Sequence, residues 1–328
     1  MNIRGLELKH GLFLAPMAGF SDRAMRRVCR EMGAEYSVTE MISAKAVTFG
    51  DKKTFALAGI REDEGPVALQ IFGSEPDVMG RAADILSSRD VGEGYVRPCA
   101  IDINMGCPVH KIYSNGEGSA LMKDPDLIHR IVCAVRENTD LPVTVKIRTG
   151  IDQLHLNAVE CALAAEAGGA EFITVHGRTK AQMYSGAVDR ESIKKVKQSV
   201  HIPVIANGDI LSYSDAVSML CETGADGIAI GRGAVGNPFI FREISAGFEG
   251  GEMPHISLDE KVKTALWQLR LAIEDKGERV AVPEARKQIA SYLHSFRGAS
   301  QIRAEINRAL TYKEIEHIFR EALEKENV

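Results

Sequence analysis

Short apolar, β-branched runs alternate with longer segments of helical period from Leu12 to about Ile244. This is the pattern of repeated strand–helix units whose strands lie side by side in a parallel sheet. The predicted strands are Leu12–Met17, Tyr36–Thr39, Val67–Phe72, Ala100–Asn104, Val143–Arg148, Phe172–His176, Val204–Asn207 and Gly227–Ile230. Amphipathic helices follow most of them, among them Asp22–Met32, Pro125–Asn138, Leu156–Ala167 and Ser214–Thr223. Eight such units close an α/β fold of the TIM (β/α)8 barrel type. A doubly wound open sheet would carry a glycine fingerprint in its first turn, but Ala15-Pro16-Met17-Ala18-Gly19 stands there, so the barrel is expected. After Phe241 the residues Gly247, Gly250, Gly251 and Pro254 read as a linker. From Ser257 to Asn327 the period is helical, with breaks expected at Gly277, Pro283 and Gly298. The chain thus divides into a barrel, residues 1–250, and a small helical bundle, residues 251–328.

Composition adds a few limits. Of 328 residues, 45% are hydrophobic and 26% charged, which predicts a sizeable core and excludes a disordered chain. Met1 to Gly11 lacks an apolar targeting core, and no run approaches the ~20 apolar residues of a membrane span. A cytoplasmic monomer without membrane contact is expected. The six cysteines are scattered, without a C-x-x-C pair or zinc-type spacing, so free thiols and no structural metal are expected. A net charge of −5 argues against nucleic acid, but its distribution changes the picture. Between Gly277 and Lys313 seven basic residues stand against three acidic ones. Such a helical face either binds phosphate or is simply solvated.

Barrel enzymes work at the C-terminal ends of their strands and often bind phosphate after strands seven and eight. Those two ends read Asn207-Gly208-Asp209 and Gly231-Arg232-Gly233. Glycines there let backbone N–H groups approach a phosphate, and Arg232 can add a charged bond. Strand five ends Lys146-Ile147-Arg148, and alternation turns Lys146 away from Val145 and Ile147, toward the barrel mouth. A buried lysine calls for an anion or an electron-rich ligand. Strand three contributes Gln70, strand four Asn104, and strand six His176 with Arg178 after it. Next to Asn104 comes Met105-Gly106-Cys107-Pro108, which puts Cys107 on a turn where it can pack, attack or donate a proton. The loop of Asn115 to Ser119 behind it could serve as a lid.

Together these segments resemble the tRNA-dihydrouridine synthases, a bacterial flavoenzyme family. The resemblance is carried by Ala15 to Gly19, Asp102-Ile103-Asn104-Met105-Gly106-Cys107-Pro108, Lys146-Ile147-Arg148, His176-Gly177-Arg178-Thr179, Asn207-Gly208-Asp209 and Gly231-Arg232. It implies an oxidoreductase that reduces uridine in tRNA to dihydrouridine, with FMN as cofactor and NADPH or NADH as reductant. In that family's terms Pro16, Met17 and Ala18 line the flavin ring, Gln70 and Lys146 bond its polar edge, and His176 lies near it. Asn207, Gly208, Asp209, Gly231 and Arg232 hold the phosphate. Cys107 donates the proton to C5, and Asn104, Arg178 and Lys111 meet the uridine. Arg286, Lys287, Arg297 and Arg303 meet the tRNA backbone. The sequence departs from the pattern in three places: a longer segment from Ser87 to Cys99, Asp189-Arg190 where an aromatic is usual, and Ile151 where a tryptophan is frequent. Two rivals share parts of this reading. One is a flavin reductase of a free pyrimidine or other small molecule; the other is a non-catalytic RNA-binding barrel.

Overall fold

The computed structural model describes residues 1–88, 94–295 and 298–326. Eight parallel strands close on themselves: β1 (Leu12–Leu14), β2 (Tyr36–Val38), β3 (Val67–Phe72), β4 (Ala100–Asn104), β5 (Val143–Arg148), β6 (Phe172–His176), β7 (Val204–Asn207) and β8 (Gly227–Ile230). Seven longer helices follow seven of them: α1 (Arg23–Glu31), α2 (Pro76–Ser88), α3 (Pro125–Glu137), α4 (Ala158–Ala167), α5 (Arg190–Ser199), α6 (Tyr213–Thr223) and α7 (Ile240–Phe248). The fold is the TIM barrel that the alternation predicts. β1 stops three residues earlier than expected: Ala15 still donates to the Ile230 carbonyl, but Pro16 has no N–H to continue the ladder. After β2 no long helix forms. Two short ones, Ala44–Thr48 and Lys52–Leu57, take its place, with a two-residue strand, Ile42–Ser43, beside β3.

The pleat sorts each strand's side chains to two faces. Leu69, Ile71, Ile101, Ile103, Val143 and Val145 face outward and build the larger core under the helices. Phe13, Tyr36 and Phe172 face inward and stack at the barrel floor, 4.9–5.8 Å between ring centroids. Ile3 and Leu8, from a small N-terminal hairpin, close that floor. Above it the inward residues become polar, so the sheet places a charged interior only at its C-terminal end.

Beyond the barrel, α8 (Leu258–Lys276), α9 (Glu278–Ser291), α10 (Ala299–Ile306) and α11 (Tyr312–Glu326) form a second core around Leu269, Ile289, Ile306 and Phe319. Phe239 of the barrel joins it. Gly277, at a φ of 76°, ends α8 as expected. Pro283 does not break the helix: it lies inside α9, six residues in and exposed, at the cost of the bond to the Arg279 carbonyl and crowding against it. Of the long segment Ser87 to Cys99, residues 89–93 lie outside the described residues. Beyond them Arg97 ties the Ser87 carbonyl to the Asp140 carboxylate, on the barrel's outer surface.

Candidate active site at the barrel mouth

Strand register brings the predicted residues into adjoining rows inside the barrel. Gln70 pairs with Asp102, Asn104 with Lys146, Arg148 with His176, and His176 with Asn207. Lys146 does turn inward, and its ammonium donates to Asn207 Oδ1 at 3.0 Å. Gln70 Nε2 donates to Asp102 Oδ2 at 2.7 Å, and Gln70 Oε1 accepts from Asn104 Nδ2 at 2.8 Å. Asn104 Oδ1 then accepts from the backbone of Gly106 and Cys107 at 3.1 and 2.9 Å. From the other side Ser119 donates its N–H and its hydroxyl to the Cys107 carbonyl, 3.1 and 2.8 Å away. The turn that carries the thiol is therefore gripped at both ends. Ser119 is buried beneath it, which makes this end of the Asn115 to Ser119 loop a support rather than a lid.

The charges at this rim are unbalanced. Burial pulls the Lys146 pKa down to about 7, and nearby Arg148 adds to the pull. Burial holds the His176 imidazole far below its usual range, and Lys146, Arg148, Arg178 and Arg232 push the same way, so it is neutral. Burial also raises the Cys107 thiol, outweighing the bond from Val109 and the charges of Arg148 and Lys146. The thiol is thus an acid that keeps its proton at neutral pH, and not a thiolate nucleophile.

After β7 and β8 the chain makes the expected glycine turns. Gly208 has a φ of 127°, and a Cβ there would meet Val188 at 2.7 Å and the His176 ring at 3.1 Å. Asp209, also at positive φ, accepts from both Arg178 and Arg232. Arg178 is 2% exposed, and its guanidinium also donates to the Ser185 and Gly186 carbonyls. That corrects its reading as a uridine contact: it braces the loop after β6 against the phosphate turn. Asn104 is likewise committed to the Cys107 turn. Ala18 is exposed, and Pro16 and Met17 are partly so, on the loop that rims the mouth after β1. Gly231 opens toward Met17, whose sulfur a Cβ would meet at 3.5 Å.

Two residues of the site stand inside the motifs that carry the family resemblance but were given no role from the sequence. Arg148 donates to the carbonyls of Gly106, Thr179 and Met183, knitting the thiol turn to the loop after β6. Asp102 sits under Gln70. Their spacing of two from Lys146 and Asn104 was the available signal, since it puts each on the same face.

The basic residues fall into separate groups. Lys111 and Lys287 are exposed and Arg303 partly so. Lys287 lies 5.0 Å from the Phe20 ring, beside the loop after β1, and Gln288 donates to the Gly19 carbonyl at 3.3 Å. Arg286 is committed elsewhere: it donates to the Ala309 carbonyl and closes the end of α10, which corrects its reading as a free phosphate contact. Arg297 lies outside the described residues. Asp189, where an aromatic was expected, caps α5 through the Ser192 N–H.

An apolar cavity of about 390 Å³, lined by Tyr36, Cys99 and Pro142 among others, opens at the opposite end of the barrel, away from these groups. Among the described residues no cluster of three or more His, Cys, Asp or Glu is placed to hold a metal, and no helix is long and apolar enough to cross a membrane.

Fold and site define a class: a (β/α)8-barrel protein with Lys146, Arg148, Arg178 and Arg232 gathered at its C-terminal mouth and, beside them, a thiol whose pKa burial raises. Within that class the chain belongs to the dihydrouridine synthase (Dus) family, whose model matches residues 13–327. It is 41% identical over 308 residues to tRNA-dihydrouridine synthase B of Vibrio vulnificus, covering 94% of each chain. It is also 41% identical to the Pseudomonas aeruginosa protein of the same name, covering 92% of this chain and 89% of that one. Among solved structures, histamine dehydrogenase from Rhizobium sp. 4-9 shares the fold, with a TM-score of 0.53, 12% identity and 80% of this chain covered. The 6-hydroxypseudooxynicotine amine oxidase of Pseudomonas geniculata N1 does so at a TM-score of 0.54 and 12% identity, over 77% of this chain. The chain spans about half the length of each, 49% and 50%.

Proposed function

We propose that this protein reduces uridine within tRNA to 5,6-dihydrouridine, with FMN bound in the barrel mouth and NADPH or NADH as reductant. The observation that carries the reading is the Cys107 turn, which holds a protonated thiol beside a buried cationic pocket. The near-full-length likeness to relatives named tRNA-dihydrouridine synthase B supports it.

The residues present fit FMN. Lys146, Arg148, Arg178 and Arg232 gather at the mouth against the Asp209 and Asp102 carboxylates, a surplus of positive charge that suits an anionic group. Gly208 and Gly231 keep the turns free of side chains, so backbone N–H groups of Gly208, Asp209 and Arg232 can meet a phosphate. Asp209 would act through its backbone alone, because its carboxylate repels phosphate and is already held by arginines. Arg232, more than half exposed, would turn from Asp209 to the ligand. Asn207 orients Lys146, whose two remaining N–H bonds, with the second N–H of Gln70, would meet the polar edge of the ring. Pro16, Met17 and Ala18 would line its face and His176 would lie beside it as a neutral group. Bound and reduced, FMN supplies a hydride for C6 of the uracil.

The protein's own part in that reduction is the proton. Cys107 Sγ gives it to C5, so hydride and proton together saturate the C5–C6 bond, and the thiolate left behind is stabilised by the charges of Arg148 and Lys146. The thiol regains its proton from solvent. A base must leave its stack to reach this depth, at a cost of a few kcal/mol. Lys111, Lys287 and Arg303 would hold the RNA backbone while it does. Purified protein incubated with FMN, NADPH and unmodified tRNA should form dihydrouridine. Cys107→Ala should keep the flavin spectrum and NADPH oxidation and lose at least about a hundredfold in turnover on tRNA, the usual yield of a general acid. Equal turnover in the variant would remove the proton-donor role; NADPH oxidation without any modified tRNA would favour a small-molecule reductase.

A further inference from the structure

Beneath the groups assigned to the cofactor and the thiol lies a buried carboxylate that neither assignment uses. Asp102 is 2% exposed; Lys146 attracts it through space, but none of its described hydrogen bonds comes from a cation. Its oxygens accept instead from Thr144 Oγ1 at 2.6 Å and Gln70 Nε2 at 2.7 Å. The two ends of a glutamine amide are nearly equal in shape and differ only in hydrogen bonding, so an acceptor on one side settles which way the amide points. With Nε2 turned to Asp102, Oε1 faces Asn104 Nδ2, and Asn104 Oδ1 is left to cap the Gly106 and Cys107 N–H groups. In a dry interior a flipped member would leave buried donors or acceptors unpaired along the whole row.

We propose that Asp102 is the positioning residue of this site: it fixes the direction of the Gln70–Asn104 relay and, through it, the backbone turn that presents the Cys107 thiol. The same direction leaves the second Gln70 N–H, without an acceptor among the described residues, for the cofactor. The inference rests on Gln70 and Cys107 facing cofactor and substrate, and its test reads the relay without using turnover.

The test is a cycle of Gln70→Glu, Asp102→Asn and the double variant in the full chain. It follows alkylation of Cys107 by iodoacetamide, resolved by mass spectrometry. Gln70→Glu sets two carboxylates against each other. At a pH of about 8 the Cys107 alkylation rate should shift by about tenfold, the equivalent of about one lost buried hydrogen bond. The shift should shrink as pH falls and the pair comes to share a proton. Adding Asp102→Asn returns a donor to Glu at 70 and should bring the rate back to within about threefold of the native protein. FMN affinity should stay reduced in both, because a glutamate has no N–H to give. A double variant no closer to the native rate than Gln70→Glu alone overturns the proposal. Where Gln70→Glu alone does not fold, recovery of a cooperative melting transition in the double variant reads the same coupling, and no recovery overturns it. Full tRNA turnover by Cys107→Ala would refute the proton-donor reading and leave this outcome unaffected.

Discussion

Lys146 sets the clearest residue-scale signature. Its ordinary pKa is 10.5, and burial, with Arg148 beside it, pulls the folded value to about 7. Between those values the unfolded chain binds more protons than the folded one, so stability rises with pH. The ligand-free protein should therefore gain stability from pH about 7 to 8, below the range where unfolded thiols, ordinarily at 9.0, ionise appreciably against the buried Cys29 and Cys99. Lys146→Met should flatten that rise in urea melts taken across the window. An unchanged slope would mean that the ammonium is better solvated than its position inside the barrel implies. Lysine tolerates this place because Asn207 holds one of its N–H bonds and the mouth opens above it.

At the element scale the strand ends matter more than the strands. Gly208 follows β7 at a φ that L-residues rarely adopt, with Val188 and His176 pressed against its missing side chain. Gly208→Ala should destabilise the protein by about 1–3 kcal/mol and weaken FMN binding, because the turn must shift to admit the methyl. Calorimetry with and without FMN separates the two effects, and native FMN affinity would show that the turn does not touch the phosphate. Most strands were legible because short apolar, β-branched runs followed by polar or glycine-rich residues mark them directly. The misses have local causes. Pro16 ended β1 early, the short helices after β2 carry too few turns to show a period, and Pro283 sits in a helix because the packing of Val282, Ala285 and Ile289 in the second core offsets its cost.

Across the whole molecule, the first two C-terminal helices, α8 and α9, are clasped to the loop and helix that follow β1. Lys276 of α8 donates to Asp22, which caps α1 through the Met25 N–H, and to Glu284 of α9. Burial alone would lower the Lys276 pKa, but these two carboxylates more than offset it and hold it above its usual value. Arg23 pairs with Asp275 beside it, and Ala24 packs against Ala272 and Ala281. Lys276→Met should lower stability by about 1–2 kcal/mol, since it strands a mostly buried carboxylate. A melting temperature equal to that of the native protein would show that the clasp is solvated. The helix that carries Lys287 thus meets the barrel on the same rim loop, Pro16 to Phe20, that is assigned to the flavin.

By itself the sequence determined the barrel, the eight strand positions, and which short segments stand at the strand ends, because alternation and turn chemistry are local properties. It also marked Lys146 as inward, since a strand's pleat reverses at every residue. Only the tertiary structure decided which of those groups remain available to a ligand. Arg178 and Arg286 look alike in sequence to Arg232 and Lys287, yet Arg178 is buried against a carboxylate 31 residues away and Arg286 is held by a carbonyl 23 residues away, while Arg232 and Lys287 stay exposed. Asp102 was one polar residue in an apolar strand until register set it under Gln70 and beside Thr144. Hydrogen-bond partners, desolvation and the summed field of neighbouring charges depend on distances between segments far apart in the chain, and only closure of the barrel fixes those distances.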